Sequence, residues 1–70
     1  MITKINEKWE LHSWDNFAPM LFGPHDWCFE IDNRGDLVFS ADGETTGHMP
    51  SAAMYALIEA HAQYLVRKVQ

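Results

Sequence analysis

The sequence predicts an α+β fold: a small antiparallel sheet of three or four strands packed against one C-terminal α-helix. Three observations carry this. Trp27, Phe29 and Ile31 alternate with Cys28, Glu30 and Asp32 ahead of a turn-forming stretch. Trp9 and Leu11 alternate with Lys8, Glu10 and His12. Residues 50–70 are apolar around most of a helix and end on Arg67 and Lys68, cations that suit a helix C-terminus.

Taken in order, residues 2–14 read as a strand with one buried face. Residues 15–26 (DNFAPMLFGPHD) carry Pro19, Gly23 and Pro24, which break regular structure, so a loop rich in apolar side chains is expected there. Residues 27–40 read as a hairpin. Its turn is Asn33-Arg34-Gly35-Asp36, where Gly35 can take positive φ, and Leu37-Val38-Phe39 is the return strand. Asp42-Gly43 marks another turn, and Glu44-Thr45-Thr46 could open a short further strand. The helix then starts at Pro50-Ser51, with Ser51 as a candidate cap. At 100° per residue, Glu59, Gln63, Arg67 and Gln70 form its one narrow polar stripe. A helix lying on a single sheet needs an apolar arc of only about 100° or a little more. This arc is about twice as wide, so either the chain wraps the helix on two sides or part of the arc faces another molecule. Leu57, Ile58, Tyr64 and Leu65 are expected to face the sheet, leaving Tyr55, Ala62 and Val66 as candidate oligomer-interface residues.

Length and composition bound the function. Seventy residues predict one domain, residues 1–70, burying roughly 60% of its unfolded surface. Nine aromatic residues are a large apolar payload for that length. The single cysteine, Cys28, allows no intrachain disulfide and points to a reducing compartment. The N-terminal residues lack a signal-peptide core and no apolar run approaches a bilayer span, so a cytoplasmic location is expected, without membrane contact.

Charge is unevenly placed. The net charge is −5, and four of the five basic residues (Lys4, Lys8, Arg67 and Lys68) lie near the ends. Between Trp9 and Ile58 eight acids face Arg34 alone. Direct nucleic-acid binding is not expected, because phosphate contacts require Lys and Arg. A basic protein partner is expected instead. Asp32, Asp36, Asp42 and Glu44 cluster about two turns, and Glu30 and Asp26 extend their field. These six acids are the candidate partner-binding patch.

Chemistry is weakly signalled. His25-x-x-Cys28, completed by His48 or His12, falls short of the paired spacings of structural zinc sites, so no metal or other cofactor is expected. His61 sits among apolar helix residues with no nucleophile beside it in sequence, and reads as a core or interface histidine. The turn acids lack the spacing of a calcium loop. Arg34-Gly35-Asp36 matches an integrin-binding tripeptide, but within a cytoplasmic hairpin turn it reads as chance. No phosphate-binding loop, dinucleotide fingerprint or nucleophile elbow is present, and a concave pocket of about 300 Å³ or more is not expected at this length. No catalytic residue is assigned, and an enzyme is not expected. The short, acidic, aromatic-rich profile resembles the accessory proteins of bacteriophages and other mobile elements. That resemblance implies an inhibitor of host defence, and the acidic, aromatic surface makes the expected role an inhibitor or adaptor of a basic host protein, one that could handle nucleic acid. The alternative is an assembly subunit that homo-oligomerises through its helix. A third reading, a small metal-binding or catalytic domain, would show itself by metal retained after purification.

Overall fold

Each strand is followed across the sheet by the next strand in sequence, so every sheet connection is a local hairpin. The computed structural model describes residues 1–39 and 49–68. Strands β1 (Ile2–Lys4), β2 (Glu10–His12), β3 (Met20–Phe22), β4 (Cys28–Ile31) and β5 (Leu37–Phe39) form one antiparallel sheet. Helix α1 (Ser51–Lys68) lies across β2, β3 and β4. The α+β architecture is as expected, with five strands among the described residues in place of three or four; the turn at Asp42-Gly43 and the short strand expected at Glu44-Thr45-Thr46 lie outside the described residues.

The additional strands have physical reasons. Residues 2–14 hold two strands rather than one, folded back by the Asn6 side chain, whose Oδ1 accepts from the backbone N–H of Lys8 (2.8 Å) and Trp9 (3.0 Å). The loop expected over residues 15–26 contains β3, the middle strand of the sheet. Pro19 and Gly23 limit β3 to three residues but do not prevent it, and its backbone pairs on both edges.

Pairing puts Leu11, Leu21 and Phe29 in one row across β2, β3 and β4. All three are buried, as are Trp9, Ala53 and Leu57. Trp27 and Ile31 pack against this core from its border, on the face predicted for them. Trp9 sits between two aromatic neighbours, its ring 5.8 Å from Phe29 and 6.3 Å from Trp27.

The helix is rotated from the expected orientation. Ala53 and Leu57 are buried, with Ala56 and Ala60 against the core and Tyr64 half-buried. Ile58 and Leu65, expected to meet the sheet, are 48% and 45% exposed. Alanines on the inner side let the helix axis approach the sheet closely, and that proximity selects the small face over the bulky one. Ser51 is the first helical residue and not the cap, since the Pro50 carbonyl already accepts from Ala53 and Met54.

Two hairpin turns carry left-handed residues. In the β4–β5 turn Gly35 has φ +86°, as its sequence position predicted. In the β3–β4 turn Trp27 N–H donates to the Pro24 carbonyl, and the intervening His25 (φ 59°) and Asp26 (φ 62°) are both left-handed. Two successive positive φ values define a type I′ turn, which favours Asn-Gly. Neither native residue is glycine, so the turn stores strain. Asp26→Gly is expected to raise stability by about 0.5–1 kcal/mol, read as an increase of about 2–8 °C in melting temperature. An unchanged or lower melting temperature would show the turn to be unstrained.

Candidate functional site

Of the six predicted acids, the described Asp26, Glu30, Asp32 and Asp36 do not lie together in one patch. Asp26 lies in the β3–β4 turn, whereas Asp32 and Asp36 lie in the turn at the other end of β4. At about 3.3 Å per residue, β4 and its flanks separate the two groups by roughly 15 Å. Asp42 and Glu44 lie outside the described residues, as does His48. Asp32 has a structural task. Its Oδ1 accepts from the backbone N–H groups of Arg34 and Asp36, both at 2.9 Å, and so organises the turn. Asp36 Oδ2 stands 3.8 Å from Arg34 Nε in an exposed pair, which partly offsets its charge.

Glu30 has a different setting. Strand parity places it on the outer face of the sheet, opposite the helix, with Ile2, Lys4, Glu10, His12, Met20, Phe22, Cys28 and Val38. Within this face Glu10 pairs with Phe22, His12 with Met20, Phe22 with Cys28, and Glu30 with Val38. The His12 ring lies 4.5 Å from the Phe22 ring and 6.1 Å from Trp14. His12 Nε2 is 3.4 Å from Glu10 Oε1. The face therefore has an apolar and aromatic centre on the sheet's middle strands, with a carboxylate on each side, Glu10 having Lys4 of β1 as its cross-strand partner. No helix or strand of the described residues covers it.

Sequence reading missed this surface because its polarity pattern is broken. An antiparallel sheet with one solvated face ordinarily alternates apolar and polar residues. In β3 all three residues are apolar, so Met20 and Phe22 put apolar groups where polar ones belong. That uninterrupted run was the available signal. Beside the face, the β2–β3 connection carries the exposed Trp14 and Phe17. They border two open hollows of about 430 Å³ (with Ala18, Met20 and Glu30) and about 510 Å³ (with Met1, Ser13 and Arg67). Hollows of this volume correct the expectation that the chain is too short for them. Both are shallow surface features.

Cys28 is on the face opposite Phe29, as its parity predicted. Burial first, and the nearby Glu30 carboxylate second, raise its thiol pKa above the ordinary value. It is held as a neutral thiol near pH 7, which is poor for nucleophilic attack and for metal ligation. His25 is exposed in the β3–β4 turn, its ring 5.5 Å from Trp27. Among the described residues no three His, Cys, Asp or Glu side chains are grouped to hold a metal ion. His61 is half-buried on α1, 6.3 Å from the Tyr64 ring. Tyr55, Ala62 and Val66 are all exposed, off the arc that meets the sheet. Among the described residues no helix is long and apolar enough to cross a membrane.

Fold and surface together define a small α+β protein whose sheet is covered by a helix on one side and presents an apolar, acid-flanked face on the other. No family model, curated protein or solved structure matches the chain.

Proposed function

We propose that this chain is a protein-binding module, not an enzyme, and that it docks a basic protein on the outer face of its sheet. The observation that carries the reading is the composition of that face: Met20 and Phe22 on the middle strand, with Glu10 and Glu30 on the strands either side. Lys and Arg side chains match such a surface in two ways. Their aliphatic stems can lie on Met20 and Phe22, and their charged heads can reach the flanking carboxylates. Hydrogen-bonded strands hold these groups in fixed positions, so little ordering is needed on binding.

The acids at the ends of β4, Asp26 and Asp36, act as rim charges on this reading, setting association rate more than affinity. Asp32 is withdrawn from the docking set because it holds its turn. An inhibitor or adaptor of a basic, nucleic-acid-handling protein, of the kind mobile elements encode, is the role we propose, in a reducing cytoplasm that suits the single cysteine.

Paired affinity capture tests this. The parent and a Glu10→Gln/Glu30→Gln variant are used as baits on the same host lysate, and captured proteins are quantified by mass spectrometry. Basic proteins enriched by the parent and depleted several-fold by the variant are expected. For such a partner, association should slow several-fold in the variant at low salt. The parent's rate should fall as salt shortens screening to roughly 8 Å. Identical capture by both baits would remove the outer face from consideration.

A further inference from the structure

We propose that the hollow between Trp14, Phe17, Met20 and Glu30 is a socket for one arginine side chain of the partner. The inference rests on the proposed docking of a basic protein on the outer face, and it names the residue that anchors it. The hollow has a volume of about 430 Å³ and is lined by these four residues and Ala18. Register explains why side chains from three segments meet there. Leu21 pairs with Phe29 across β3 and β4, and one further step of the same register sets Met20 beside Glu30. Trp14 has the parity of His12, whose ring lies 6.1 Å away, and His12 is the cross-strand partner of Met20. Phe17 closes the hollow from the β2–β3 connection.

Two aromatic rings and one carboxylate are the groups that receive an organic cation. The face of an aromatic ring attracts a cation held within about 6 Å of its centroid, and tryptophan does so best. A carboxylate accepts charge-assisted hydrogen bonds from the same cation. Trp14 is 39% exposed and Phe17 67%, so both present ring surface to an incoming group. Met20 supplies an apolar floor for an aliphatic stem.

Charge complementarity selects a cation for this hollow in particular. The two outer carboxylates are not equivalent. Glu10 has Lys4 opposite it on β1 and His12 Nε2 3.4 Å away. Glu30 has Val38 as its partner on β5, and among the described residues no Lys or Arg forms an ion pair with it. It is half-buried, and a charge partly withdrawn from water attracts an opposite charge more strongly than one in bulk solvent. Its negative charge is therefore the one on this face that a partner is best placed to neutralise.

Shape selects arginine over lysine. A guanidinium is planar, so it can stack on the indole while two of its N–H groups reach the Glu30 carboxylate. It is also weakly hydrated, whereas a lysine ammonium gives up a tight hydration shell to enter the same place. The openness of the hollow points to a side chain delivered from a protein surface, since free small molecules are held in sites that enclose most of their area.

Titration of the ¹⁵N-labelled full chain with the tripeptide acetyl-Gly-Arg-Gly-amide tests this by NMR. The Trp14 indole N–H should shift and saturate with Kd on the order of millimolar, as expected for one side chain in an open hollow. The lysine counterpart should bind at least about threefold more weakly. The citrulline counterpart, which keeps the shape and lacks the charge, should give no saturable shift. An unmoved Trp14 indole, or an equal response to lysine or citrulline, would overturn the proposal on the parent protein alone. A Trp14→Leu bait, shown folded by its amide spectrum, separates this inference from the reading it rests on. In the lysate capture it should lose the basic proteins several-fold. If Trp14→Leu retains them while Glu10→Gln/Glu30→Gln loses them, the basic partner stands and the arginine socket is overturned. If neither variant alters capture but the arginine peptide still saturates at Trp14, the socket stands and the partner reading fails.

Discussion

Phe29→Ala is expected to unfold most of the protein at ordinary temperatures. Phe29 has no exposed surface, sits on β4 with Leu21 as its cross-strand partner, and has the Trp9 ring 5.8 Å away. Truncating a fully buried phenylalanine costs about 3–5 kcal/mol in lost transfer energy and cavity formation. A chain of this size has total stability near the lower end of roughly 5–15 kcal/mol. The loss therefore removes most of what holds the fold. In a small domain it also lowers the melting temperature by more than about 12 °C. Val38→Ala is the matched control. Val38 is the register partner of Glu30 on the outer face and is 41% exposed, so its truncation should cost less than about 1 kcal/mol. Thermal and urea melts of the two variants read strand parity directly. A larger loss at Val38 than at Phe29 would mean that the inner and outer faces had been assigned the wrong way round.

That parity was legible in the sequence where alternation was clean. Trp27, Phe29 and Ile31 against Cys28, Glu30 and Asp32 placed β4, and Gly35 placed its turn. Trp9 and Leu11 placed β2. β1 left no such trace, since all three of its residues are exposed and no buried side chain marks a face. β3 was hidden by an opposite effect, apolar residues on both faces between Pro19 and Gly23. In the helix the element was legible but its orientation was not. A helix with two apolar sides leaves the choice of inner side to how closely each can approach the sheet, and alanine is a weak hydrophobic signal even where it decides the packing. The acidic cluster shows a further limit. Proximity in sequence suggested one patch, but β4 carries Asp26 to one end and Asp32 to the other, and only pairing geometry reveals Glu30 and Glu10 flanking Met20 and Phe22.

Gly23→Ala is expected to destabilise the protein by about 1–3 kcal/mol, against the usual sense of such a change. The backbone at Gly23, with φ −126° and ψ −168°, is open to any residue. On that ground alone, alanine should stabilise by about 0.4–1 kcal/mol by restricting the unfolded chain. The obstacle is Trp9. A Cβ at position 23 would stand 2.7 Å from its Cζ3 and 2.8 Å from its Cη2. The ring cannot retreat, because it is 3% exposed and bordered by Trp27 and Phe29. Overpacking must then displace either the indole or the β3–β4 turn. If ring contact is the cause, the penalty depends on the atoms of the indole's six-membered ring. Trp9→Leu removes those atoms and is itself costly, but in that background Gly23→Ala should be neutral or slightly stabilising. The two substitutions should therefore be coupled by about 1–3 kcal/mol in a double-mutant cycle followed by urea denaturation. Simple additivity would mean that position 23 is constrained by something other than the Trp9 ring.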